Sequence, residues 1–147
     1  MKKGFTLIEV LIVLTIITML AAVVIIAVNP GRQFAQARNT QRWTAVNSLL
    51  NAIEQNMADN NGNFNFSGCT ATSLPATSTN MASGGLDLCG CLTPTYIAEM
   101  PYDPTVGSYT SCSDYDSGYS VAVASSTTRV TVSAPHADLG VIISVTR

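Results

Sequence analysis

The chain has 147 residues, room for one domain of ordinary size once an apolar N-terminal block is set aside. Hydrophobic residues make up 47% of it, but they are concentrated near the start while the middle is rich in Ser, Thr, Asn and Gly, which excludes one large core and favours an anchor followed by a small soluble part. A formal charge of −2, with Lys2 and Lys3 among only seven basic residues, excludes nucleic-acid binding by bulk charge.

From Phe5 to Val28 run 24 residues whose only charged member is Glu9 and whose other polar side chains are Thr6, Thr15 and Thr18. As a helix this run is about 36 Å long, enough to cross a hydrocarbon core of about 30 Å with some tilt. Asn29-Pro30-Gly31 interrupts it, because Pro30 has no N–H to give and Gly31 adds backbone freedom, so Pro30 and Gly31 are expected to kink or open the helix. Helical periodicity resumes with Trp43, Val46, Leu50, Ile53 and Met57 as an apolar stripe to lie against the head and Arg42, Asn47, Asn51 and Glu54 on the opposite side, left for water or neighbours. Asn60-Asn61-Gly62 supplies the stop.

Residues 62 to 118 read mainly as loop, with a Ser/Thr-rich stretch around Thr70 to Ser83 and a short helix near Tyr96 to Met100. The four cysteines, Cys69, Cys89, Cys91 and Cys112, all follow the apolar block, where an extracytoplasmic chain holds cysteines oxidised. Zinc is the competing reading, but Cys89-Gly90-Cys91 lacks the usual ligand spacing. Cys89 and Cys91 lie too close for an easy mutual bridge, so each is expected to pair outward; Cys69–Cys89 with Cys91–Cys112 is the preferred of the two arrangements. Three strand-like runs close the chain, Tyr119 to Ala124, Arg129 to Ser133 and Val141 to Val145. The first two are joined by a few Ser and Thr residues, as in an antiparallel hairpin.

The opening Met1-Lys2-Lys3-Gly4-Phe5-Thr6-Leu7-Ile8-Glu9-Val10 sets a short basic leader, a glycine, a phenylalanine and a lone acid ahead of the apolar run. It resembles the type IV prepilin signature. The resemblance is close over Lys3 to Val28 and continues more loosely to about Phe64. Tyr96 to Pro104 followed by Gly118-Tyr119 is similar to the loop-to-sheet passage of secretion pseudopilins and related pilins. The resemblance implies cleavage by a prepilin peptidase between Gly4 and Phe5, methylation of the new terminus, and a filament in which Glu9 pairs with a neighbour's terminal amine. Physical sense agrees: Gly4 can lie extended in a protease site, and a carboxylate in an apolar segment costs several kcal/mol without a partner. A secretory signal peptide cut after Ala35-Gln36-Ala37 needs an apolar region of about 7–15 residues, shorter than this one. A plain anchor with Glu9 snorkelling to the interface has no use for Gly4-Phe5.

The fold class expected is α+β, a pilin fold in which a long N-terminal helix packs its amphipathic half on a small antiparallel sheet. The expected divisions are a leader over residues 1–4, a transmembrane and filament-core helix over 5–28, an amphipathic half-helix over 29–61 and a globular head over 62–147. The resemblance implies a structural filament subunit that is anchored in a membrane by one pass with its head extracytoplasmic, and then built into a surface pilus or periplasmic pseudopilus. Its partners would be further copies of itself, the prepilin peptidase, an inner-membrane assembly platform and, before assembly, membrane lipid. A pseudopilin of a type II secretion system is the near alternative, and a membrane-anchored binding module that never polymerises is the alternative of a different class. No catalytic motif or cofactor signature is present, so an enzyme is not expected. Asp103, Asp114 and Asp116 are weak calcium candidates, and an ordinary turn is the preferred reading of them. Arg32, Arg38 and Arg42 suit lipid headgroups or filament contacts better than DNA. His136 reads as a surface residue, and Asn65-Phe66-Ser67 matches a glycosylation sequon.

Overall fold

The computed structural model describes residues 4–124 and 129–147, so Lys2, Lys3 and the Ser/Thr turn expected before Arg129 lie outside the described residues. It divides into two compact units, Met1–Ala35 and Gln36–Arg147.

The first unit is dominated by α1 (Leu7–Val28), an apolar helix with no buried residue. At 22 residues it is about 33 Å long, and it is the one described helix long and apolar enough to cross a membrane. Its two mid-helix threonines hide their hydroxyls against their own helix: Thr15 Oγ1 donates to the Leu11 carbonyl at 2.8 Å and Thr18 Oγ1 to the Thr15 carbonyl at 2.9 Å. Neither leaves an unmet donor in an apolar setting. The helix ends on Asn29 in the left-handed region (φ 46°), and Pro30 opens α2 (Pro30–Asp59). Proline suits that first helical position because its missing N–H would have had no partner there. The Asn29 carbonyl accepts the N–H groups of Arg32 and Gln33.

The second unit packs α2 from Gln36 onward against a five-stranded antiparallel sheet, making the fold α+β. The strands are β1 (Thr79–Ala82), β2 (Ser108–Ser111), β3 (Asp114–Val123), β4 (Val130–Ala134) and β5 (Ile143–Thr146), with a single-turn helix α3 (Cys89–Leu92) between β1 and β2. β3 is the spine. One of its edges pairs with β1, Asn80 lying opposite Ser120; the other takes β2 at its start, Tyr109 opposite Tyr115, and β4 at its end, Val121 opposite Val132. β5 then pairs with β4. Alternation along β4 turns Val130, Val132 and Ala134 inward, and they meet Val46, Leu49, Leu50 and Ile53 of α2 in one core. α2 stops where Gly62 N–H donates to the Met57 carbonyl at 2.8 Å, with Asn61 and Gly62 both at positive φ.

Several expectations are corrected. The stretch at Tyr96–Met100 is turn and irregular backbone; the short helix lies earlier, at Cys89–Leu92. β1 and β2 occupy segments read as loop. The buried stripe of α2 within this unit runs through Asn39, Arg42, Val46, Leu49, Leu50, Ile53 and Asn56, so Trp43 is left 40% exposed while Arg42, expected on the opposite, polar side, is fully buried. The disulfides join Cys69 to Cys91 and Cys89 to Cys112, the opposite of the preferred pairing. Closing loops of 22 and 23 residues rather than 20 and 21 changes loop entropy negligibly, so spacing could not choose. In α3 residues two apart on a helical turn point to nearly opposite sides, Cys91 towards Cys69 and Cys89 towards Cys112. The turn sits so close to the 66–69 segment that a Cβ on Gly90 would collide with the Gly68 carbonyl.

Candidate functional site

Gly4 and Phe5 precede α1 as exposed, non-helical backbone, the condition a peptidase needs to engage the bond between them. Thr6 is the N-cap, with extended backbone. Its hydroxyl accepts the Glu9 N–H at 3.3 Å, and Glu9 Oε2 in return accepts both the Thr6 N–H and the Thr6 hydroxyl at 2.8 Å. This is a complete capping box. The Glu9 carboxylate, which the apolar run alone leaves without a partner, is therefore satisfied inside its own chain at the positive end of α1. Thr6 escaped the sequence reading although Thr6-Leu7-Ile8-Glu9 has the spacing of such a box.

A second constellation lies wholly in the C-terminal unit. Arg42 engages all five of its N–H groups. Nε and Nη2 grip the Asp103 carboxylate at 2.6 and 3.2 Å, Nη1 reaches Asp138 Oδ2 at 2.6 Å and Asn39 Oδ1 at 3.0 Å, and Nη2 also meets Thr105 Oγ1 at 2.9 Å. Arg38 adds a two-pronged contact to Asp138 at 2.8 and 3.0 Å, and Asn39 exchanges hydrogen bonds with the Asp138 backbone. Two guanidinium groups and two carboxylates leave the cluster neutral, which is what makes its burial tolerable. Burial pushes the Asp103 carboxyl up, but the hydrogen bonds from Arg42 and Thr105 more than reverse that and hold it at about 2. Hydrogen bonds from Arg38 and then Arg42 hold Asp138 well below the carboxylate range, and those of Asp103 hold Arg42 firmly protonated.

Asp103 is placed by β3. Its N–H donates to the Ser117 carbonyl at 2.8 Å, on the β3 edge between the stretches taken by β2 and β4. Gly118, at φ 67°, leaves the room: a Cβ there would press on the Asp103 side chain and on Val106. The structure thus removes Asp103 from the calcium candidates, because its oxygens are filled by Arg42 and Thr105. Asp116 caps its own turn through Gly118 N–H and takes a hydrogen bond from Asn80, and Asp114 is exposed. Among the described residues no group of three or more His, Cys, Asp or Glu could hold a metal ion. His136 is exposed, and the Asn65 amide is engaged with Asn60 and Ser67.

The arrangement therefore comprises an apolar helix with a capped, exposed start and a small unit held by a buried ionic cluster and two disulfides. Residues 1–27 match the family described as the prokaryotic N-terminal methylation motif, the signature of type IV pilins and pseudopilins. Motif, apolar helix and two disulfides together support a type IV pilin- or pseudopilin-like precursor. No curated protein and no solved structure matches the chain.

Proposed function

We propose that this chain is a structural subunit of a type IV pilus or pilus-like filament, cut between Gly4 and Phe5 by a prepilin peptidase and polymerised through α1. The observation that carries the reading is the methylation motif over residues 1–27, which runs through all but the last residue of a helix that buries none of its residues in the chain. In a membrane that surface meets lipid; in a filament it meets the same helix of other copies. Glu9 gains a role at that exchange. Cleavage creates a free amine on Phe5, and in a water-poor filament core the amine of a neighbour is the natural counter-charge for a carboxylate that Thr6 alone satisfies before assembly. The chain's work is mechanical and not enzymatic, with its C-terminal unit held outside the cytoplasm as the filament's outer surface.

Terminal mass spectrometry of the purified subunit tests the processing step. A chain beginning at N-methylated Phe5 is expected, and a chain beginning at Arg38 would replace this reading with ordinary signal cleavage after Ala37. Replacing Gly4 by a bulky residue should leave precursor in the membrane. Electron microscopy with mass spectrometry of sheared material separates the abundant surface fibre of a pilin from the short periplasmic structure of a pseudopilin.

A further inference from the structure

The C-terminal unit carries an apolar projection at one end and an apolar groove at the other. The projection is the turn between β4 and β5, where Ile142 is 87% exposed, Leu139 52% and Val141 44%. Together they present on the order of 300 Å² of apolar surface, a patch of the size that is often functional on a small unit. The turn is firmly held: Asp138 is bound by Arg38, Asn39 and Arg42, and Leu139 takes a left-handed conformation (φ 61°) that a branched residue adopts only where its surroundings impose it. The groove, about 220 Å³, is lined by Met57, Phe64, Phe66, Leu74, Val123 and Val130, with Thr72 and Ser73 on its rim. It has room for a branched aliphatic side chain or two.

The two features lie at opposite ends. Val130 pairs with Arg147 at the open end of the β4–β5 hairpin, beside the groove, whereas the projection is the hairpin's closed end beyond Ala134 and Ile143. Along α2, Asn39 touches the projection and Met57 lines the groove, 18 positions and so about 27 Å apart. A projection and a complementary groove at opposite ends make a head-to-tail contact, the kind that extends into an open filament. Membrane lipid is the less suited occupant, because Pro135 to Ile142 contains no Lys, Arg, Trp or Tyr to anchor it at an interface.

We propose that Leu139, Val141 and Ile142 of one copy insert into the Met57/Phe66/Leu74 groove of another copy of this chain, adding a second longitudinal contact to the α1 packing. The inference rests on the filament reading. The patch is far smaller than the roughly 1,200 Å² of a freestanding stable interface, so the contact operates between copies that α1 already holds together.

The test uses the full chain, expressed with its assembly machinery, carrying Ile142→Cys and Ser73→Cys, and a short bismaleimide applied to sheared fibres. A ladder of covalent dimers, trimers and higher species is expected from the double variant and none from either single variant. Ile142→Asp, at a site too exposed to disturb folding, is expected to lower fibre yield roughly tenfold, a 1.4 kcal/mol effect, with both disulfides still found by peptide mapping. Fibres at wild-type yield from Ile142→Asp, without a ladder from the double variant, would overturn the contact and leave the filament reading standing. Absence of fibres from the wild-type chain would overturn both. If the new thiol of the Ile142→Cys variant were shielded from a water-soluble maleimide in the unassembled, membrane-bound subunit and became reactive in fibres, the patch would be lipid-facing and the proposal wrong.

Discussion

α1 and the part of α2 from Asn39 onward are both regular helices, and they treat their residues in opposite ways. α1 is almost purely apolar and buries nothing. The later stretch of α2 buries an arginine completely and two asparagines nearly so. The polar groups of α1 find partners within four residues, as Thr6, Glu9, Thr15 and Thr18 do. The buried Arg42 of α2 finds its carboxylates 61 and 96 residues away, at Asp103 and Asp138. Burial within one chain therefore reports where a residue's partners are and not how hydrophobic it is. A helix whose apolar surface has no partner in its own chain is built for partners elsewhere.

The contrast says that the C-terminal unit is self-sufficient, so a fragment starting at Gln36 should fold alone, and its stability offers a way to break the claim. The largest effect is expected from the disulfides. Replacing Cys69 and Cys91, or Cys89 and Cys112, by Ser should cost about 3 kcal/mol each in the chain-entropy model, and replacing all four about 6 kcal/mol, against a typical stability of about 5–15 kcal/mol. Denaturant unfolding of the fragment measures this, and a loss below about 1 kcal/mol would move the unit's support elsewhere. Next is Arg42→Met, which strands Asp103 in the interior and should cost about 3–5 kcal/mol; the double variant Arg42→Met/Asp103→Leu should recover much of that if the loss is an uncompensated charge and not lost packing.

Acid comes third. Asp103 titrates at about 2 in the folded unit against 3.8 for the ordinary group, and a depressed carboxyl stabilises the fold above its unfolded value. That contribution, on the order of 2 kcal/mol, should be intact above about pH 4 and disappear as pH falls towards 2, with Asp138 acting in the same direction. Thermal unfolding at pH 5 and pH 2.5, with Asp103→Asn as the comparison, reads it. The smallest effect on the unit should come from Glu9→Val, within about 0.5 kcal/mol of none, while fibre yield falls sharply. Wild-type amounts of fibre from that variant would remove the proposed assembly role of Glu9.

The sequence was most legible where physics acts locally. Phe5 to Val28 announces α1 by composition, and the β-branched runs near Tyr119, Val130 and Val141 announce β3, β4 and β5. β1, Thr-Asn-Met-Ala, and β2, Ser-Tyr-Thr-Ser, lack that signature. They are strands because β3 offers two edges to pair with, which local propensity cannot report. The α2 stripe was misphased for a related reason: Asn39 and Arg42 share a three-four spacing with Val46, but hydropathy scores them as surface. Within the candidate site, Gly4, Phe5 and Glu9 could be read from their order, and Thr6 from its spacing to Glu9. The Arg42 cluster could not, since it joins residues from three distant segments.

That cluster also bears on the order in which the chain takes shape. Synthesis delivers Arg42 well before Asp103 and Asp138, and until they arrive its guanidinium has no reason to leave water. The core side of α2 next to it is completed only by contacts of long sequence separation, which are slow to form. Burial of Arg42 needs both carboxylates, so a chain truncated before Asp138 should remain open to proteases however much of its helix has already formed.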